Sequence, residues 1–116
     1  MELARKPELP YYAVIFTSLR TVSETDDGYS DMARQMCELA ALQPGYLGIE
    51  SVRQDIGITV SYWKDLDSIH AWKQNVQHQA AQELGKAKWY SSYRVRICKV
   101  EQEYGMAWNA GDEDEV

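Results

Sequence analysis

The sequence is short of cysteine, phenylalanine and positive charge, and each shortage excludes something. Two cysteines, Cys37 and Cys98, cannot build the framework of a disulfide-stapled miniprotein. No CxxC and no Cys/His cluster stands at zinc spacing. Both thiols read as buried, apolar and without an activating neighbour. No apolar run approaches the roughly 20 residues of a membrane span. The first residues, MELARKPELP, lack the apolar stretch of a secretory signal. The expectation is a cytoplasmic protein with reduced thiols and no membrane partner. Lys and Arg number 12 against 18 Asp and Glu, a net charge of −6. Asp112, Glu113, Asp114 and Glu115 supply four of those negative charges, so the rest is close to neutral. Nucleic acid needs clustered positive charge and is not an expected partner. GxGxxG, GxxxxGK[ST] and GxSxG are all missing, which removes dinucleotide, nucleotide and serine-hydrolase sites. Two histidines without a nearby carboxylate pattern define no metal triad.

What remains is an ordinary globular balance, 45% hydrophobic and 26% charged residues, in 116 residues, the length of one domain. The aromatic set is skewed: eight Tyr and four Trp against one Phe. Aromatics with a polar handle suit half-buried positions, interfaces and pocket walls.

Residues 1–10 read as a flexible leader broken by Pro7 and Pro10. The segment 11–20, YYAVIFTSLR, is a strand apolar on both alternating sets, so both of its faces need a cover. Asp26–Asp27–Gly28 marks a turn. Tyr29, Met32, Met36, Leu39 and Ala40 then fall at helical spacing, and Gln43–Pro44–Gly45 stops that helix. YLGIESVRQ is a second strand, with Tyr46, Gly48, Glu50 and Val52 on one set. Asp55–Ile56–Gly57 fits a hairpin turn whose glycine supplies a positive φ. ITVSYW is the third strand, sending Tyr62 and Trp63 to opposite faces. Asp65 or Asp67 caps a second helix carrying Ile69, Trp72, Val76 and Ala80. Gly85 is a stop signal. In the last strand Tyr93, Val95 and Ile97 alternate with Arg94, Arg96 and Cys98. The pattern dissolves after Gly105 into an acidic tail, 106–116. Residues 11–105 thus form one α+β domain of ferredoxin-like order, β-α-β-β-α-β, with a four-stranded antiparallel sheet and two helices on one face. The doubly apolar first strand calls for a second subunit on the other face.

Several residues are candidates for chemistry. His78, in the second helix, has the type of a general base or an iron ligand. His70 falls on a polar helix face near Ser68 and Gln74. Trp72 suits either core or a wall that stacks on a planar ligand. Trp89, Tyr90 and Tyr93 make a second aromatic group, read as an interface before a catalytic set. Arg94 and Arg96 read either as partners of acids such as Glu50 or as holders of an enolate or carboxylate.

The stretch SYWKDLDSIHAWKQNVQHQAAQ, the PGYLGIES before it and the closing QELGKAKWYSSYRVRICKVEQEYG together resemble the antibiotic biosynthesis monooxygenase family. The resemblance spans roughly 11–104. It implies a homodimer, a dimeric α/β barrel with a pocket between each sheet and its second helix. It implies a cofactor-independent monooxygenase acting on a small electron-rich aromatic of phenol, quinol or anthrone type. His78, Trp72, Arg94 and Tyr93 are then the catalytic set, and Trp63, Tyr62, Asn75 and Phe16 line the ligand. Asn75, Trp72, Tyr93 and Arg94 match by type the residues that antibiotic-tailoring oxygenases place around a polyaromatic phenol. No metal is expected. The alternative is a planar-ligand-binding dimer, either non-catalytic or haem-degrading. The haem-degrading relatives' Asn-Trp-His set is not reproduced, since the first strand offers only Thr17 and Ser18 and Gln82 stands near the histidine position.

Overall fold

A computed structural model of the chain describes residues 7–21, 28–82 and 89–106, the side chains of 77–82 excepted. The leader up to residue 6, Asp26–Asp27, Gly85 and the tail from 107 lie outside the described residues. The order is β1 (Tyr11–Arg20), α1 (Tyr29–Ala41), β2 (Tyr46–Arg53), β3 (Gly57–Trp63), α2 (Leu66–Gln82) and β4 (Tyr90–Val100). The sheet is antiparallel with strand order β2-β3-β1-β4. This is the ferredoxin-like α+β arrangement.

Directly opposed residues of antiparallel strands share a face, so the register assigns the two sides of the sheet. Tyr12, Val14, Phe16 and Ser18 of β1 stand opposite Trp63, Ser61, Thr59 and Gly57 of β3 and opposite Lys99, Ile97, Val95 and Tyr93 of β4. This is the helix side, because Tyr12 and Val14 pack with Ala40 of α1 and Ile69 of α2 around Trp63. Trp63 is 0% exposed. Its ring stacks on Trp72 at 5.9 Å and meets Tyr46 edge-on at 5.7 Å. Its indole N–H donates to Ser61 Oγ at 2.8 Å, which removes the cost of burying that donor.

In β2 the simple alternation fails at its start. A bulge between Tyr46 and Gly48 shifts the phase. Tyr46 therefore joins Ile49, Ser51 and Arg53 on the helix side, leaving Gly48, Glu50 and Val52 on the other.

The helix ends follow their local chemistry. Gly28 begins α1 in the left-handed region, φ 86°, a conformation cheap only for glycine. Asp65 caps α2: its Oδ1 accepts the Ser68 N–H at 2.8 Å and the Ser68 hydroxyl at 2.6 Å. These bonds hold the Asp65 carboxyl below the usual carboxylate range. Gly45, φ 84°, lies so close to Ser68 that a Cβ there would fall on its side chain, while the Gly45 carbonyl accepts the Lys64 N–H at 2.8 Å. Pro44–Gly45 thus both ends the α1 connection and packs the start of β2 against the start of α2. Two expectations need correction. Cys37 lies on the exposed side of α1, because the buried stripe runs through Ala40 and the half-buried Met32, Met36 and Leu39. Gly57 is the first residue of β3 and is not among the positive-φ glycines; its lack of a side chain serves a different purpose, described below.

Candidate functional site

The helix side of the sheet is covered unevenly. Over β2 and β3 the helices close it around Trp63. Over β4 it stays open: Tyr93, Val95 and Ile97 face the helix side yet are 53%, 47% and 50% exposed. With Val14 and Phe16 opposite them on β1, they make an apolar strip about 14 Å long at 3.4 Å per residue. Trp72 stands half-buried at the Tyr12–Lys99 end of this strip, against Trp63.

The other end is aromatic and cationic. Phe16 stacks on Tyr93 at 5.5 Å and meets Tyr90 edge-on at 5.3 Å. Tyr90 meets Tyr29 of α1 edge-on at 5.7 Å, and its hydroxyl donates to the Tyr29 hydroxyl at 3.2 Å. Burial first, and then that hydrogen bond, push the Tyr90 phenol above its ordinary value of 10, so it stays protonated. The Arg20 guanidinium lies 3.9 Å from the centre of the Tyr29 ring, a close cation–π contact. The Arg53 guanidinium lies 5.6 Å from the same ring and donates to the buried Ser18 Oγ. Gly57 makes that bond possible, since a Cβ at 57 would fall on the Arg53 guanidinium.

The open face of the sheet carries a different group. Tyr11 donates to Glu103 Oε2 at 2.6 Å, Tyr62 donates to Glu50, and the two rings meet edge-on at 6.0 Å. Burial, and then the carboxylate each phenol bonds, raise both tyrosines above their ordinary value. Around them Leu19, Val52 and Ile58 are exposed.

The expected site residues therefore divide. Phe16, Tyr93 and Trp72 border the open strip. Trp63 is wholly inside, beneath Trp72. Asn75 is half-buried on α2. Tyr62 and Arg94 face away from the helices, Tyr62 opposite Ala13 and Arg94 opposite Thr17. His78 belongs to α2, and its side chain lies outside the described residues. His70 is exposed and bonded to Gln74 Nε2 at 3.2 Å. Pairing of Arg94 or Arg96 with Glu50 does not occur: β2 and β4 are opposite edges of the sheet, and Glu50 accepts the Tyr62 hydroxyl instead. Within the chain, Tyr90 and Tyr93 pack on the helix side against Phe16 and Tyr29, so this group is not part of the open face. Sequence reading missed Arg20, Tyr29, Arg53 and Gly57. The signal available was the hairpin itself, which sets Arg53 opposite Gly57. A hollow of about 250 Å³ between Pro44–Gly45 and the start of α2 is lined by Lys64, Asp67 and Ala71 and has no aromatic wall. Among the described residues no cluster of three or more His, Cys, Asp or Glu could hold a metal ion.

The domain is ferredoxin-like, with an exposed, aromatic-bordered strip on the helix side of β4. The model of the antibiotic biosynthesis monooxygenase family matches residues 12–84, and the chain belongs to that family. It is 50% identical over 112 residues to the uncharacterized protein YqjZ of Bacillus subtilis (strain 168), an alignment covering 95% of this chain and 96% of that one. A crystal structure of a Nitrosomonas europaea protein of unknown function superposes with a TM-score of 0.64 at 15% identity, covering 85% of this chain and 97% of that one. A variant of SnoaB, a cofactor-independent oxygenase from Streptomyces nogalater, superposes with a TM-score of 0.56 at 16% identity, covering 78% and 95%. At such identities the likeness of the solved structures is one of fold. Among the described residues no helix is long and apolar enough to cross a membrane.

Proposed function

We propose that this protein is a cofactor-independent monooxygenase that oxidises a small electron-rich aromatic, a phenol, quinol or anthrone. One observation carries the reading: the half-exposed strip of Tyr93, Val95 and Ile97, beside Phe16 and ended by Trp72. Such a strip offers a flat apolar seat for a fused-ring ligand. Family membership and the cofactor-independent oxygenase among the structural neighbours support the same chemistry.

The reaction asks little of the protein. A deprotonated phenol or anthrone is itself the electron donor to oxygen. A carbon–oxygen bond forms at the activated ring carbon, one water leaves, and that carbon becomes a quinone carbonyl. One O₂ is consumed for each substrate. The protein holds the ring and takes the first proton. Trp72 and Tyr93 hold the ring and His78 takes the proton. Oxygen-electrode assays with purified protein and anthrone or naphthol substrates test this. The expected result is saturable uptake, one O₂ per substrate, with no added flavin, nicotinamide or metal and no loss on adding a chelator. Uptake no faster than the spontaneous reaction would refute it.

In the same reading two copies pack through the open sheet faces. Leu19, Val52 and Ile58 are exposed apolar residues on that face, and exposed apolar area on a sheet favours a partner. Light scattering at micromolar concentration is expected to give about 27 kDa, twice the 13.3 kDa chain. A mass near that of one chain would remove the claim.

A further inference from the structure

Arg53, Gly57, Ser18 and Tyr93 form a single row across all four strands. Arg53 of β2 stands opposite Gly57 of β3, Gly57 opposite Ser18 of β1, and Ser18 opposite Tyr93 of β4. All four lie on the helix side. Neighbouring strands are about 4.8 Å apart, so the row joins a cation on one edge strand to the open aromatic strip on the other. The Arg53 guanidinium crosses the bare backbone of Gly57 and donates to Ser18 Oγ, one position from Tyr93. Ser18 is buried and fixes the fork in place. A guanidinium carries five N–H donors in a rigid plane, and one bond to Ser18 leaves most of them for another acceptor. The Tyr29 ring stands beside it at 5.6 Å, and the Tyr90 and Tyr29 hydroxyls lie in the same cluster.

Arg53 has no acidic partner among the described residues. The exposed Arg34 of α1 shows the ordinary alternative, pairing with Glu38 at 2.9 Å. A half-buried cation beside aromatic rings, with no carboxylate on it among the described residues, is arranged to receive one.

The geometry points to a carboxylate-binding subsite at the Arg53–Ser18 end of the strip, so that the ligand class of this site is aromatic acids: a fused ring seated along Tyr93 and Val95, its carboxylate on the Arg53 guanidinium. This rests on the strip being the ligand site proposed above, and adds which ring systems it selects.

The test is fluorescence titration of the full chain with two probes of the same ring, 2-naphthoate and the neutral 2-naphthalenemethanol. Wild type is expected to hold the acid about ten- to a hundredfold more tightly, the gain of a charge-assisted hydrogen bond. Arg53→Gln is expected to bring the two affinities within about threefold of each other, with the neutral probe's affinity unchanged, which reports an intact strip. Arg53→Lys keeps part of the preference, because it keeps the charge and loses the fork. Gly57→Ala, which displaces the guanidinium without removing it, also lowers the preference. Equal affinities in wild type would overturn the subsite and leave the strip standing as the ligand site. A preference that survives Arg53→Gln would overturn it too. If neither probe binds, the strip itself is not a ligand site and both readings fall. If the acid binds as expected but no oxygen uptake is found, the subsite stands and the oxygenase reading fails.

Discussion

Trp63→Ala is expected to lower the unfolding free energy by about 3–5 kcal/mol, the usual cost of emptying a buried large aromatic site. The position has every property that makes such a loss large. Trp63 is 0% exposed and touches both helices' contribution to the core, Ala40 of α1 and Ile69 of α2. Two aromatic contacts vanish with it, to Trp72 and Tyr46. The Ser61 hydroxyl, itself buried, loses its donor, and an unsatisfied buried polar group adds to the cost. A domain of this size has only about 5–15 kcal/mol in total. With a urea slope of about 1–3 kcal/mol per molar, the midpoint should fall by at least about 1 M. Measurements at one fixed protein concentration keep any association out of the comparison. A loss under about 1 kcal/mol would mean that Trp63 is not the centre of the core. Trp72→Ala, half-buried and bordering the open strip, is the contrasting variant: a smaller stability loss together with weaker binding of planar ligands.

The fold was legible because its strands and helices carry clean periods. A run of β-formers apolar on both alternating sets marked 11–20 as β1, alternation within 89–104 marked β4, which spans Tyr90–Val100, and the i, i+3, i+7 spacing from Tyr29 marked α1. The same alternation separated Tyr93 from Arg94 and Tyr62 from Trp63, a division the register confirms. Periodicity is local, however, and three features depend on what it cannot reach. The bulge at Tyr46/Gly48 inserts one residue and turns Tyr46 to the helix side. The order β2-β3-β1-β4 sets Glu50 and Arg94 on opposite edges, although as isolated strand residues they read as partners. The Arg53–Gly57–Ser18–Tyr93 row requires the pairing of strands far apart in sequence, which alternation alone does not fix. Gly57 shows the limit most clearly. A glycine beside a hairpin reads as a turn residue with positive φ, but here its use is to leave room for the Arg53 side chain. The aromatic surplus, eight Tyr and four Trp, pointed to half-buried positions without saying on which face each ring lies. Only the register shows that Tyr93 lies beside the open strip while Tyr62 is bonded to Glu50 on the far face.

His78→Ala is expected to lower kcat on an anthrone or naphthol substrate by about 10²–10⁴, the usual worth of a general base, with KM changed by no more than a few-fold because Trp72 and Tyr93 still hold the ring. The assignment follows from which groups can take a proton near neutral pH. Trp72, Phe16, Val95 and Ile97 have none to take it with. The Tyr90 phenol is held protonated by burial and by its bond to Tyr29. Of the chain's two histidines, His70 is exposed and bonded to Gln74. That leaves His78. α2 starts just after Trp63, and β4 starts opposite Arg20, so the helix runs toward the Tyr93 end of the strip. It rises about 9 Å between Trp72 and His78 at 1.5 Å per residue. A histidine base also has a signature that a packing residue lacks. Only the neutral form of an imidazole accepts the proton. Wild-type kcat should therefore carry an acid limb, falling about tenfold per pH unit once the imidazole is protonated and levelling off where it is neutral. In His78→Ala the acid limb should vanish, leaving a low rate that rises with hydroxide, and added imidazole should restore part of the activity. His70→Ala, the matching change on the exposed helix face, should keep full turnover. If His78→Ala retains full turnover, or keeps the wild-type acid limb, the proton goes to another group and His78 has no part in the reaction.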